Sequence, residues 1–453
     1  MHDARVAAPI TRAHVLRRAW PIIVANATVP MVGLIDTAVI GHAGRVVDLG
    51  AIALGTLVFN SLYFGVGFLR MGTTGFIAQA VGVGDELEVR AVLGRALVLA
   101  GAIGAVFVAF KSAIAAGSMQ LLHATPTVER IAAEYIELRL WAAPAVLLTL
   151  ALRGALIGLG YGRDLLLLEG SLNGINLALN FGFVVACGWG ARGVAIGTAL
   201  AECLGLMGAV AIVRLRLHER RAGHSGNDAA ARAPLMSWRR IWQPAQLRAM
   251  LGANADIWLR TVLLLFGFAY FTDRSAGFGE SILAGNHLLL QFVSFSAFFL
   301  DGYANVAESL VGEAVGARDR RGFDLAVRRS SELAVLSAAL GALALWFLGG
   351  ALIDLLTNLS RVRAAAREHL PFASLYVLLS VATFQLDGIF VGATRTRAMR
   401  NAALGAASLF LVTGWGLANA YGNRGLWCAF IVFVVARALA LGAYYPGLRR
   451  SLA

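Results

Sequence analysis

Ala80-Val-Gly-Val-Gly-Asp85 and Ala314-Val-Gly-Ala-Arg-Asp319 are one short phrase written twice, 234 residues apart. Three further landmarks keep nearly the same spacing. Gly154-Ala-Leu-Ile-Gly158 returns as Gly388-Ile-Phe-Val-Gly392, and Arg163 returns as Arg397, both at 234. Gly190-Ala-Arg-Gly193 returns as Gly422-Asn-Arg-Gly425 at 232. Any one match arises by chance, but four in order mark an internal repeat.

Apolar sequence flanks every landmark. Of 453 residues, 58 % are hydrophobic and 14 % are charged. A soluble domain carries about 25 % charge. A soluble enzyme is excluded, and so is a disordered chain, which has too little apolar surface to collapse. A spanning helix needs about 20 mostly apolar residues. Such stretches lie near 15–42, 51–79, 92–118, 131–157, 164–186, 191–214, 249–271, 280–312, 325–350, 364–392, 401–420 and 425–447. The expected fold class is therefore all-α and polytopic, with twelve transmembrane helices in two pseudo-symmetric six-helix bundles. The longest polar stretch, 215–248, reads as a cytoplasmic linker between an N-lobe (1–214) and a C-lobe (249–453). Six spans per half give both halves one orientation, so the repeat axis runs along the membrane normal. The paired Gly-xxx-Gly motifs suit close helix packing. Pro21 and Pro30 are candidate kinks in the first span.

The net charge of +13 invites a nucleic-acid reading. The distribution argues against it, because the basic residues sit between spans and all but Lys111 are Arg. With the N-terminus inside, 25 of the 39 basic residues fall on the cytoplasmic side, 8 outside and 6 within or near span ends. The positive-inside rule then places both termini in the cytoplasm. Cys187, Cys203 and Cys428 stand alone in apolar runs, with neither zinc-ligand nor disulfide spacing.

Charges within spans are costly and point to function. Asp36, in Gly33-Leu-Ile-Asp-Thr-Ala-Val-Ile-Gly41, has no basic residue one turn away. A carboxylate in a low-dielectric setting can take up and return a proton near neutrality. Asn173, Asn176 and Asn180 share one face of the fifth span, and Thr198 and Glu202 share one face of the sixth. Asn176, Asn180 and Thr198 are the candidate polar cluster around Asp36; interhelical bonding that fixes packing is the plainer reading. Asp256 and Arg260 are placed to pair within the seventh span. Asp301 and Asp387 either pair with Arg260 or face a cavity, and all four are candidates for coupling in the C-lobe. No HExxH, GxSxG, P-loop or aspartate-rich diphosphate motif is present, so an enzyme is not expected. Transport without a nucleotide site must use an ion gradient, which describes a secondary transporter.

Asp36-Thr-Ala-Val-Ile-Gly-His-Ala-Gly44 resembles the multidrug and toxic compound extrusion (MATE) family. Phe299-Leu-Asp-Gly302, Glu308-Ser-Leu-Val-Gly312 and Leu386-Asp-Gly-Ile-Phe-Val-Gly-Ala-Thr394 are similar to its DinF-type subfamily. The resemblance covers essentially the whole chain. It implies a V-shaped pair of six-helix lobes in a bacterial inner membrane, exporting amphipathic, often cationic drugs in exchange for H⁺ or Na⁺. It also implies an N-lobe site of Asp36, Asn176 and Thr198. The chain departs from the pattern at Asn180, where a second Asp is frequent. Asn cannot carry a proton, and its loss weakens a Na⁺ site there.

The expectation is thus a proton-coupled drug exporter with Asp36 as the proton-binding group, no cofactor and no metal. The expected partners are amphipathic small molecules and the lipid bilayer; a monomer is expected. Phe59, Tyr63, Phe64, Met71, Phe292 and Phe295 are candidate cavity residues, with plain packing or lipid contact as the alternative. A lipid-substrate flippase, a Na⁺-coupled antiporter using C-lobe acids, a membrane prenyl transferase and a channel rank below.

Overall fold

The computed structural model describes residues 10–43, 46–122, 124–223 and 237–452, with backbone alone over 29–43 and at 46. Every regular element among the described residues is helical. The first half holds α1 (Arg12–Ala43), α2 (Val46–Gly65), α3 (Phe68–Val83), α4 (Glu86–Ala109), α5 (Lys111–Leu121), α6 (Pro126–Leu140), α7 (Ala143–Gly158), α8 (Gly162–Phe181) and α9 (Gly190–Gly223). The short α10 (Trp238–Ile241) precedes α11 (Pro244–Ala276), α12 (Glu280–Gly316), α13 (Arg320–Leu356), α14 (Ser360–Gly392) and α15 (Thr396–Arg450). A π-helical turn, Gly182–Ala186, finishes α8. Hydrocarbon requires this outcome, since each backbone N–H and C=O must find its partner within its own segment.

Eight of the described helical stretches are long and apolar enough to cross a membrane, with α2 and α3 together forming one of them. The other spans of the twelve-helix fold have local explanations. Helix α15 is 55 residues long and holds two spans joined at Gly422, where φ of 59° and ψ of −140° interrupt the helix. Helix α8 carries Asp164, Glu169 and three asparagines among 20 residues. Helix α1 is described only in part.

The stretch expected as one span over 131–157 is two helices, α6 and α7, bent by 54°. Pro144 has no N–H to offer the carbonyl of Leu140, and its ring crowds that carbonyl. The helix therefore stops at Leu140 and restarts at Ala143.

The repeat extends to individual backbone angles. Six of the eight described residues with positive φ fall in pairs: Gly84 (φ 79°) with Arg318 (φ 53°), Gly160 (79°) with Thr394 (51°), and Gly190 (55°) with Gly422 (59°). The first two pairs are 234 apart and the third 232, the spacings of the sequence landmarks. Arg318 and Thr394 hold a conformation that costs a side-chain-bearing residue about 1 kcal/mol. Asp85 and Asp319 then start the next helix alike, accepting the backbone N–H of Glu88 at 2.9 Å and of Gly322 at 3.0 Å.

The Gly-xxx-Gly pairs bring backbones into contact. A Cβ on Gly154 or Gly158 of α7 would lie 2.4 Å and 2.8 Å from the carbonyl oxygens of Arg70 and Thr74 on α3. A Cβ on Gly388 or Gly392 of α14 would lie 2.4 Å from those of Ala304 and Glu308 on α12. The contacted residues are themselves 234 apart. Only glycine permits either crossing, and Thr74 Oγ1 donates to the Gly154 carbonyl at 3.1 Å.

The chain divides into two compact units, Val24–Thr261 (the N unit) and Met1–Ile23 with Val262–Ala453 (the C unit). Helices α1 and α11 are each shared out by this division. Within the C unit, Gly302 makes room for Ile23, and within the N unit Gly72 makes room for Asn254. Apolar cores fill each unit. The C unit stacks Tyr376 on Phe430 and Phe410 on Phe433, with centroids 4.6 Å and 5.0 Å apart.

Polar contacts pin the segment before α11 to the N unit. Arg95, 3 % exposed, donates to the carbonyls of Arg240 at 2.8 Å and Ile241 at 3.2 Å, and pairs with Glu88 at 2.7 Å. Arg240 in turn pairs with Asp85 at 2.9 Å. Burial pushes the Asp85 carboxyl up, but the Glu88 N–H and the Arg240 guanidinium outweigh it and hold the group below the ordinary 3.8. A depressed folded-state value gives stabilisation that is present above the unfolded value and lost as pH falls through the folded one. Acidification below about pH 4 should therefore loosen 237–243, and Asp85→Asn should loosen it at neutral pH. Both partners are more than a third exposed. Screening then limits the effect to 1 kcal/mol or less, about fivefold in amide exchange over 237–243.

Candidate functional site

Three polar residues singled out by helical spacing meet inside the N unit. Asn176, Asn180 and Thr198 are 1 %, 0 % and 2 % exposed. Asn176 Nδ2 donates to Thr198 Oγ1 at 3.0 Å, and Asn180 Nδ2 donates to Asn176 Oδ1 at 3.3 Å. Gly197 completes the arrangement, since a Cβ there would stand 2.3 Å from Asn180 Oδ1. A chain of amides and a hydroxyl can hold a proton donor or an acceptor, because each group offers both functions. Asp36 lies on the α1 backbone, but its side chain falls outside the described residues.

The N unit also buries charge among these helices and their neighbours α6 and α7. Arg153 of α7 and Glu169 of α8 form an ion pair at 2.7 Å, with the carboxylate side chain 6 % exposed. Arg139 of α6 lies 4.3 Å from the Phe59 ring centroid and donates to the Tyr135 hydroxyl at 3.1 Å. Glu202 is half-buried on α9, with Arg153 and Arg139 as its positive neighbours. The Arg153–Glu169 and Arg139–Phe59 contacts are not visible in the sequence as a local pattern, because their partners stand on different helices.

The aromatic candidates separate by environment. Phe59 is only 2 % exposed, packed with Tyr63 at 5.5 Å and beneath Arg139, so it is a core residue rather than an open wall. Tyr63 and Met71 are half-buried, and Phe64 is 49 % exposed. In the C unit Phe292 packs against the aromatic core, and Phe295 is 55 % exposed beside Phe299.

The C-unit acids have their own partners. Asp387 of α14 pairs with Arg437 of α15 at 2.9 Å, and both side chains are 10 % exposed or less. Arg437 supplies the charge for which Arg260 was the expected candidate. Asp387 and Arg153 are repeat equivalents, 234 apart, each just before the first glycine of its Gly-xxx-Gly pair. The two units thus place opposite charges at one position and neutralise each from a neighbouring helix. Asp256 and Arg260 belong to the N unit, the first buried and the second half-buried, and each has an interaction partner. Asp301 is half-buried in the C unit and is engaged likewise. A separate buried network centres on Asn286, which bonds Ser275 at 2.8 Å, Asn423 at 2.7 Å and Trp427 at 2.9 Å. Its neighbour His287 contacts Gln291 at 3.3 Å. Among the described residues no group of three His, Cys, Asp or Glu is placed to hold a metal ion.

Two repeated helical units with charges and amides buried among spanning helices are the build of a membrane transporter. The sequence model of the MatE family matches residues 21–181 and 258–415, one match in each half. The chain belongs to that family, whose members are transporters and not enzymes. It is 35 % identical to DNA damage-inducible protein F of Escherichia coli, over 94 % of this chain and 90 % of that one. It is 26 % identical to the "Probable multidrug resistance protein NorM" of Xanthomonas campestris, over 96 % and 93 %. Among solved structures, the MATE transporter VcmN of Vibrio cholerae in its bent form matches with a TM-score of 0.85 at 20 % identity, over 97 % of both chains. The fold is therefore the twelve-helix MATE fold anticipated from the sequence, and the chain is a multi-pass membrane protein.

Proposed function

We propose that this chain exports amphipathic, often cationic compounds across a bacterial inner membrane in exchange for protons, with Asp36 as the coupling carboxylate. The observation that carries the reading is the buried Asn176–Asn180–Thr198 cluster, assembled from the two helices whose spacing had singled these residues out. The names of the NorM relatives support drugs as the cargo. The excess of Arg on one side supports cytoplasmic termini. A monomer suffices, because every group named in this reading lies on one chain.

Ionised Asp36 attracts the cationic substrate. A proton arriving from outside neutralises it, the substrate leaves outward, and the proton is then given up to the cytoplasm. The magnitude is adequate. Two unit charges 4 Å apart interact by about 4 kcal/mol at an effective dielectric constant near 20. Its loss weakens binding about a thousandfold. In the C unit Asp387 is already neutralised by Arg437, which favours coupling through the N unit over a Na⁺ route through C-unit acids.

The test is ethidium transport in inverted membrane vesicles under an imposed pH gradient and then an imposed Na⁺ gradient. Transport should follow the pH gradient. Transport that follows only Na⁺ would move the coupling to Asp301 and Asp387.

A further inference from the structure

Helix α9 carries Thr198 and Glu202 one turn apart on one face. Thr198 is closed into the amide cluster, whereas Glu202 remains half-buried. Among the described residues Glu202 takes part in no hydrogen bond and no ion pair within 4.0 Å. Among the described residues, the groups that act on it across space are Arg139 of α6, Arg153 of α7, Glu169 of α8 and Tyr63 of α2, with Cys203 beside it.

These neighbours are otherwise committed. Arg153 is bound to Glu169 at 2.7 Å, and Arg139 is held over Phe59 and by the Tyr135 hydroxyl. A carboxylate kept among spanning helices for structure ends in an ion pair or a full set of hydrogen bonds. Glu169 fits that description and Glu202 does not. The charge balance is informative too. Among the described residues two guanidinium groups face two carboxylates, so these four are neutral together while Glu202 is ionised. One proton on Glu202 leaves one positive charge uncompensated, and a net positive cluster repels a cation.

We infer that Glu202 is a second proton-exchanging carboxylate of the N unit, whose protonation turns the Arg139–Arg153–Glu169 cluster against a bound organic cation. The step is a simple protonation: bulk water outside supplies the proton, the carboxylate becomes a carboxylic acid, and the proton later passes to the cytoplasm. The inference rests on the reading that the N unit exchanges protons for cations, but it adds a group that Asp36 does not replace.

The experiment measures protons released when tetraphenylphosphonium binds the purified full-length chain in detergent, between pH 5.5 and 8.5. The wild type should release close to two protons per cation bound, and Glu202→Gln about half as many. Glu202→Asp should keep the count with a displaced pH profile. Glu202→Gln releasing as many protons as the wild type, with an unchanged profile, would overturn the inference. Asp36→Asn distinguishes the two claims: if it keeps the full count while Glu202→Gln loses half, the Asp36 reading fails and this one stands. A wild type that binds without releasing protons overturns both. Infrared titration of the carboxyl band needs no ligand. A carboxyl band that titrates in the wild type and is absent in Glu202→Gln is expected; no lost band would sink the assignment.

Discussion

Asp36→Asn is expected to reduce pH-gradient-driven ethidium efflux to the level of empty vesicles while leaving the protein expressed and folded. The substitution conserves shape and removes only the ability to ionise. Two contributions vanish together. The attraction for a cation, about 4 kcal/mol at close approach, is absent throughout the cycle. The proton that would have replaced the cation has no site, so the gradient can no longer perform work on the substrate. The first loss alone predicts about a thousandfold weaker binding; the second predicts no accumulation even at saturating substrate. The signature is therefore a flux that does not recover at high ethidium. A variant whose efflux recovers fully at high substrate would retain coupling and have lost affinity only, contrary to the proposal.

The second large effect belongs to the C unit and concerns stability. Arg437→Leu should destabilise the chain by about 3–5 kcal/mol, because it strips a buried carboxylate of its cation. The double replacement Asp387→Leu with Arg437→Leu should recover most of that loss, since a buried ion pair is often equalled by well-packed apolar residues. Thermal unfolding in detergent reads both outcomes. Equal instability of the single and double variants would mean that Asp387 matters for something other than its charge. The same double variant tests function, for it should still transport if proton exchange resides in the N unit.

Much of the architecture was legible because it depends on patterns local to the chain. Spans are runs of apolar residues, and the repeat is a matter of spacing, so Gly154 with Gly388 and Arg163 with Arg397 could be paired before any fold was known. The structure added that the repeat governs the left-handed turns at Arg318 and Thr394, where no glycine marks the place. The break between α6 and α7 was the miss. Pro144, one turn after Leu140, ends the first helix, which the apolar run over 131–157 does not reveal.

The site was legible where its members share a helix. Asn176 and Asn180, one turn apart, read directly as a face, and so did Thr198 with Glu202. Pairing across helices was not, because it depends on how each helix is rotated about its axis. In lipid the outer face of a helix is as apolar as its packed face, so the sequence carries little record of that rotation. Hence Arg437, 50 residues from Asp387, went unassigned as its partner, and Phe59 read as a cavity wall although it is packed under Arg139. The surroundings of Glu202 are hidden for a related reason: which groups face it is invisible until the neighbouring helices are in place.

The central claim is obligatory exchange of a cation for protons, and reciprocity tests it most directly. The purified chain is reconstituted into proteoliposomes with equal pH on both sides and no Na⁺, and an inward gradient of ethidium alone is applied. The account predicts that protons leave the lumen as ethidium enters, so an enclosed pH indicator reports alkalinisation, and that the response is absent with Asp36→Asn. Ethidium entry with no change in luminal pH would contradict it.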